Sequence, residues 1–231
     1  MELKPVEVWY WKIRGKGTLI TDFLAALNVP FTLNSFQEME VYGKFKMEVL
    51  KEYSSVNLPL IRDPNNGNKY VAETSAILQY IANQYKQDAG ASSIEELPDF
   101  LILKGAIEDC FTGVLSRNLY GSKEKELLKE KVLATRARHA IKWGNFEKML
   151  ETNDWLFKNR FTYLDVMFAT MIEILTTMET ELDFKYFTES ERKSFLAHMN
   201  RLTDIEGVKK WRNSDKFSKR PYAPPSMAAW G

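Results

Sequence analysis

The stretch Asn57–Ile77, NLPLIRDPNNGNKYVAETSAI, decides how the first half of the chain folds. Pro59 stands in a short apolar run, Leu58 to Ile61, and cannot donate a ladder hydrogen bond, so it belongs at a strand start or an edge. Turn residues follow, Asp63-Pro64-Asn65-Asn66-Gly67, and then a second short run, Lys69-Tyr70-Val71. Asn66-Gly67 supplies the positive φ angles that a hairpin needs. Glu73-Thr74 stand where a helix begins, because Ile77, Leu78 and Ile81 recur at helical spacing through Tyr85. The stretch reads strand, turn, strand, helix.

Two features of it carry a second meaning. Pro59 is either a plain strand start or a cis proline, which exposes neighbouring backbone groups to an extended ligand. Glu73-Thr74 is first an N-cap signal. A helix N-terminus with a hydroxyl and backbone N–H also holds a carboxylate, and the adjacent Glu73 pairs with an ammonium. A zwitterionic, amino-acid-like ligand satisfies both.

Upstream, Val6 to Trp11 is rich in β-branched and aromatic residues and predicts a strand covered on both faces. Leu19, Phe23, Leu24 and Leu27 mark a helix that Asn28 and Pro30 end, and Phe31 to Phe36 predicts a second strand. This βαβ order implies a parallel pair joined by a right-handed crossover. Glu38 to Lys51 is polar and mixed, and predicts a short irregular helix. The order is therefore βαβ-α-ββα. Tyr10 and Trp11 fall at the carboxyl end of the first strand, where open α/β sheets collect ligands. Tyr10 is equally explained as core, its hydroxyl tied to backbone.

Downstream, Lys86 to Pro98 has the composition of a linker. Helical patterns then span Asp99 to Tyr120, Lys123 to Leu150, Thr162 to Glu179, Ser190 to Leu202 and Val208 to Asn213, with no convincing strand. Thr162 with Asp165 forms a variant capping box, and Phe161 is placed to staple onto Val166. An α/β domain is followed by an all-α domain.

Composition excludes much. Among 231 residues, 32 basic against 31 acidic leave a net charge of +1, so no global field draws the chain to nucleic acid or an anionic membrane. The clusters Lys209-Lys210 and Lys216 to Arg220 read as solvated surface. One cysteine, Cys110, forbids an internal disulfide and a thiolate zinc cluster. Two distant histidines, His139 and His198, argue against a metal site and against Ser-His or Cys-His catalysis. The N-terminus MELKPVEVWYW has no cleavable apolar segment, and nothing approaches the roughly 18 apolar residues of a membrane span, so a cytoplasmic protein is expected.

Taken in order, these motifs resemble the mu-class glutathione S-transferases nearly end to end. YWKIRG is similar to the opening of that family, which goes on with an NLP motif, a hairpin, an acid-or-amide plus hydroxyl pair and a helical domain. WLFKNRFTYLDVMFA, IEGVKKW and FSKRPYAPPSMAAW resemble its later helices and tail. The likeness is weakest between 38 and 52 and between 110 and 135. It implies a thioredoxin-like glutathione-binding domain at 1–86, a linker at 87–97 and an all-helical domain with an extended tail at 98–231, together the glutathione S-transferase fold.

The resemblance also implies roles. Tyr10 would donate its hydroxyl proton to the glutathione sulfur and raise the thiolate fraction, so that no enzyme nucleophile is needed. Leu58, before cis Pro59, would pair its backbone with the cysteinyl part of glutathione, and Asn57 lies near the glycyl end. Thr74 would bind the γ-glutamyl carboxylate and Glu73 its ammonium, with Trp11 beside the tripeptide and Lys44 near the glycyl carboxylate. An electrophile pocket would involve Lys16, Phe111, Leu115, Tyr120 and the tail.

Departures from the family are equally specific. The family's Trp one turn before this lysine falls at Glu40, and a short insertion precedes the NLP motif. Ser55 takes the place of the aromatic dimer key, with Tyr53 as a substitute, and Gly113 the place of an acid that reaches the partner subunit, with Asp109 one turn away. The expected function is conjugation of glutathione to small hydrophobic electrophiles by a cytoplasmic homodimer with an altered lock, glutathione being the cosubstrate and no metal required. The alternatives are a weak or inactive protein of the same fold acting as a binding or structural subunit with a protein partner, or a glutathione-dependent isomerase or peroxidase.

Overall fold

The computed structural model describes residues 2–53, 56–114, 122 and 124–222. They form two compact units, one containing the residues up to Lys86 with Glu206–Pro221, the other containing Gln87–Ile205 and Tyr222.

The first unit runs β1 (Val6–Trp11), α1 (Gly15–Ala26), β2 (Phe31–Phe36), α2 (Met39–Val49), β3 (Leu60–Asp63), β4 (Lys69–Ala72) and α3 (Thr74–Tyr85). Its sheet has the order β2-β1-β3-β4, with β2 parallel to β1, and β3 antiparallel to β1 and to β4. Strand pleating splits β1 cleanly. Val6, Val8 and Tyr10 are buried on the face that carries α1, while Trp9 stacks on Phe45 of α2 at 5.3 Å and Trp11 meets Tyr42 edge-on at 5.0 Å. Tyr42, Phe45 and Val49 lie on one stripe of α2, while Met39, Val41 and Met47 stand exposed among its charged residues. So narrow a stripe makes a regular helix read as an irregular one.

The hairpin also departs in detail from the expectation. Asp63 pairs with Lys69, and the positive φ angles fall at Gly67 (63°) and Asn68 (57°), one residue later than Asn66-Gly67. The buried Asp63 carboxylate sets this geometry. Its Oδ1 accepts from the Asn65 backbone N–H at 2.9 Å and its Oδ2 from the Tyr80 hydroxyl at 2.8 Å.

The second unit holds α4 (Leu97–Thr112), α5 (Lys125–Arg138), α6 (Ala140–Thr152), α7 (Tyr163–Glu181) and α8 (Glu189–Thr203). α7 is buried along most of its length, and Phe168 meets Phe146 and Phe195, each at 5.1 Å. The capping box at its start is formed, with Thr162 N–H donating to Asp165 Oδ2 at 2.7 Å. Asp165 does more than cap. Its Oδ1 accepts from Leu156 N–H at 2.9 Å and from His198 Nε2 at 3.0 Å. One expected helix, Lys123 to Leu150, is two, broken at His139 (φ −107°, ψ 19°). The buried positions Leu128, Val132, Thr135, Trp143 and Phe146 keep helical spacing across the break, so the sequence carries no stop signal there.

The first unit is completed by α9 (Glu206–Arg212) and α10 (Asp215–Ser218). Arg212 donates to Asp22 Oδ2 on α1 through Nε (3.1 Å) and Nη2 (2.6 Å). Gly207 lies so close to α1 that a Cβ there would sit 2.1 Å from the Ala25 carbonyl oxygen.

Candidate functional site

Three chain ends meet at one rim of the first unit's sheet. The registers pair Leu60 with Trp9 on one side and with Ala72 on the other. β3 therefore begins where β1 and β4 end, so Leu58, just before β3, Trp11, the last residue of β1, and Thr74, the first of α3, leave the sheet at the same end. The Leu58–Pro59 bond is cis. Asn57 ties the rim together, its Nδ2 donating to Glu73 Oε1 at 3.3 Å while its Oδ1 accepts from the Leu58 N–H at 3.0 Å.

Glu73 adopts φ 71° and ψ 124°, a left-handed conformation that non-glycine residues rarely take and that concentrates at functional sites. Its side chain caps nothing, although it occupies the N-cap position of α3. The Thr74 hydroxyl has no hydrogen-bond partner among the described residues. Sequence chemistry thus places an acid and a hydroxyl at the positive end of a helix without committing either to capping it.

Tyr10 lies on the other face of β1 and is 5% exposed. Its ring covers Gly17 of α1, and its hydroxyl oxygen accepts the Lys16 backbone N–H at 3.0 Å. A hydrogen bond into a phenolic oxygen strengthens the O–H as a donor. Beneath the ring is a cavity of about 10 Å³, lined by Thr18, Thr21, Trp211, Phe217 and Arg220, with room for about one water.

The segment after α9 reaches this end of the sheet, which sequence reading missed. Arg220 donates to the Trp11 carbonyl at 3.3 Å and to Ser35 Oγ, and the Arg14 N–H donates to the Pro221 carbonyl at 2.7 Å. Phe217 is buried beneath the Arg14 guanidinium, 4.8 Å from its ring centre, and burial lowers the Arg220 pKa. The expectation that Lys216 to Arg220 is solvated surface therefore fails at Phe217 and Arg220. The bonds that hold Arg220 join residues far apart in sequence, and no local pattern announces them.

The remaining sequence candidates scatter. Lys44 is 77% exposed and paired with Glu40 at 2.7 Å on the same helix. Lys16 contributes its backbone to Tyr10, and Phe111 is buried in the core of the second unit. Leu115, Tyr120, Ser55 and the tail beyond Tyr222 lie outside the described residues. Tyr53 turns inward, edge-on to Tyr70 at 5.5 Å, and Asp109 is paired with Lys142.

Burial pushes the Cys110 thiol up to about 12, so this chain's own cysteine is not a thiolate near neutral pH. Among the described residues no three His, Cys, Asp or Glu side chains gather as a metal site, and no helix is long and apolar enough to cross a membrane.

Residues 108–215 match the sequence profile of the glutathione S-transferase C-terminal domain. No curated protein matches the sequence. Among solved structures, the glutathione S-transferase Blo t 8 is similar at a TM-score of 0.77 and 20% identity, over 97% of this chain and 99% of its own. NaGST-2 follows at 0.71 and 19%, over 92% and 99%, and NaGST1 at 0.69 and 19%, over 91% and 97%. At such identity the likeness defines the fold: a four-stranded mixed sheet with helices followed by a helical domain, the glutathione S-transferase fold.

Proposed function

We propose that the chain is a glutathione transferase of mu-like type, with residues 1–86 binding the tripeptide. The observation that carries this reading is the convergence of Leu58, Glu73-Thr74 and the β1 carboxyl end at one rim of a single compact unit. The Thr74 hydroxyl and the α3 N-terminus receive the γ-glutamyl carboxylate, and Glu73 accepts from the γ-glutamyl ammonium. The Leu58 backbone pairs with the cysteinyl residue once Asn57 Oδ1 releases its N–H. With Lys44 bound to Glu40, the glycyl carboxylate relies on Asn57 and Trp11 more than on a lysine.

Tyr10 donates its O–H to the bound sulfur and favours the thiolate. The thiolate forms a carbon–sulfur bond to an electrophilic carbon, and the displaced group, such as halide, leaves with the electron pair. The protein acts as a cytoplasmic homodimer in detoxification, on hydrophobic electrophiles.

Glutathione calorimetry tests the binding half. Saturable binding is expected, weakened about 12- to 150-fold in Thr74→Ala, about 1.5–3 kcal/mol for one lost hydrogen bond to a charged group. Absence of binding at millimolar glutathione contradicts the reading.

A further inference from the structure

A second concave surface lies within the first unit, away from the rim that holds Leu58 and Thr74. It is a groove of about 510 Å³ between the start of β2 and the segment 207–216. Val29, Phe31, Leu33 and Trp211 are among its lining, and Phe31 packs edge to face on Trp211 at 4.9 Å. Lys210 and Lys216 stand exposed at its border. Neither ammonium has an ion-pair partner among the described residues.

β2 is an edge strand. Val6 N–H donates to the Pro30 carbonyl and Lys12 N–H to the Phe36 carbonyl, which fixes the parallel ladder on the even-numbered residues of β2. The N–H and C=O of Phe31, Leu33 and Ser35 therefore point away from β1. No other backbone group among the described residues meets them. The strand itself holds no charged residue, the usual guard against strand addition; Pro30 blunts its start, and Arg220, bonded to Ser35 Oγ, stands at its end.

We propose that this edge docks an extended acidic peptide segment of a partner protein, which adds as a fifth strand beside β2. Main-chain hydrogen bonds to Phe31, Leu33 and Ser35 supply the pairing. Alternate side chains of a strand fall on one face, so an apolar residue of the peptide enters the groove that Leu33 and Trp211 line. A carboxylate two residues along the peptide, on the same face, reaches Lys210 and Lys216. The two unpaired cations select acid over base, and the open row of backbone groups selects an extended chain over a compact anion.

The test uses fluorescein-labelled, end-capped peptides of repeated valine-threonine-glutamate-threonine, in which valine and glutamate share one face of the strand, read by anisotropy against the full chain. Saturable binding is expected, weakened at least about tenfold in Lys210→Glu/Lys216→Glu, whose substitutions are on exposed side chains. The same peptide with lysine for glutamate, or with alternate backbone amides N-methylated, is expected not to bind. Glutathione is expected not to displace the peptide. No saturable binding up to about 1 mM overturns the proposal, as does equal binding to the double variant. Equal binding of the N-methylated peptide reassigns the groove to amphipathic anions and overturns it too. Displacement by glutathione moves the peptide to the other rim, and self-association of the chain that the double variant abolishes makes the occupant a second copy; either result overturns it.

Discussion

Gly17 leaves the Tyr10 ring its place. A Cβ at Gly17 would lie 2.4 Å from Cδ1 and 2.7 Å from Cγ of Tyr10, closer than real Cβ atoms come. The ring is held above by this contact and at its oxygen by the Lys16 N–H. Gly17→Ala gains helix propensity of about 1 kcal/mol, yet the ring stem cannot swing aside without moving β1. Overpacking dominates, and urea denaturation is expected to show a net loss of about 1–3 kcal/mol. A stabilised variant would mean that Tyr10 is not fixed by α1.

Asp165 carries a second structural prediction. Thr162 N–H, Thr162 Oγ1, Leu156 N–H and His198 Nε2 all donate to one buried carboxylate, at 2.7, 3.1, 2.9 and 3.0 Å. Asp165→Ala strands several buried donors together, and a loss of about 3–5 kcal/mol is expected from urea or thermal unfolding. A loss of under about 1 kcal/mol would show that the cap is the whole of its role.

Acid should weaken the second unit through Glu96. Arg160 grips both its oxygens, at 2.9 and 2.6 Å, while Ser92 Oγ and Lys158 Nζ donate at 2.6 and 3.0 Å. These contacts, the Arg160 bonds first, hold its carboxyl well below the usual carboxylate range. A depressed folded pKa contributes stability that is fully present above the unfolded value, about 4.3, and is lost as pH falls below it. Wild-type stability is therefore expected to drop more steeply than that of Glu96→Gln between about pH 5 and pH 2, as measured by thermal unfolding at a series of pH values. Parallel curves would show that the cluster adds no pH-dependent stability.

The fold was legible where signals are local. Apolar periodicity gave the βαβ-α-ββα order, and Thr162 with Asp165 marked the start of α7. The stretch Asn57–Ile77 held the two strands, the hairpin and the helix start that build the rim. What stayed hidden depends on distant residues. Nothing near Asp22 announces Arg212, and nothing in the tail announces that Arg220 reaches Trp11 and Ser35. The positive φ moved from Asn66 to Asn68 because the Asp63 carboxylate, buried by Tyr80, organises the loop. Lys44 was expected near a ligand, and its pairing with Glu40 follows from an i,i+4 spacing that was readable in advance.

The role of Tyr10 is tested most directly by Tyr10→Phe, in glutathione calorimetry and in conjugation of a generic aryl halide. The substitution removes the O–H and keeps the ring that covers Gly17. Glutathione affinity is expected to stay within about twofold, while turnover falls on the order of 10–100-fold, as about 1.4–2.7 kcal/mol of thiolate stabilisation is lost. Equal turnover in wild type and Tyr10→Phe would contradict the assignment of Tyr10 as the residue that donates to the sulfur.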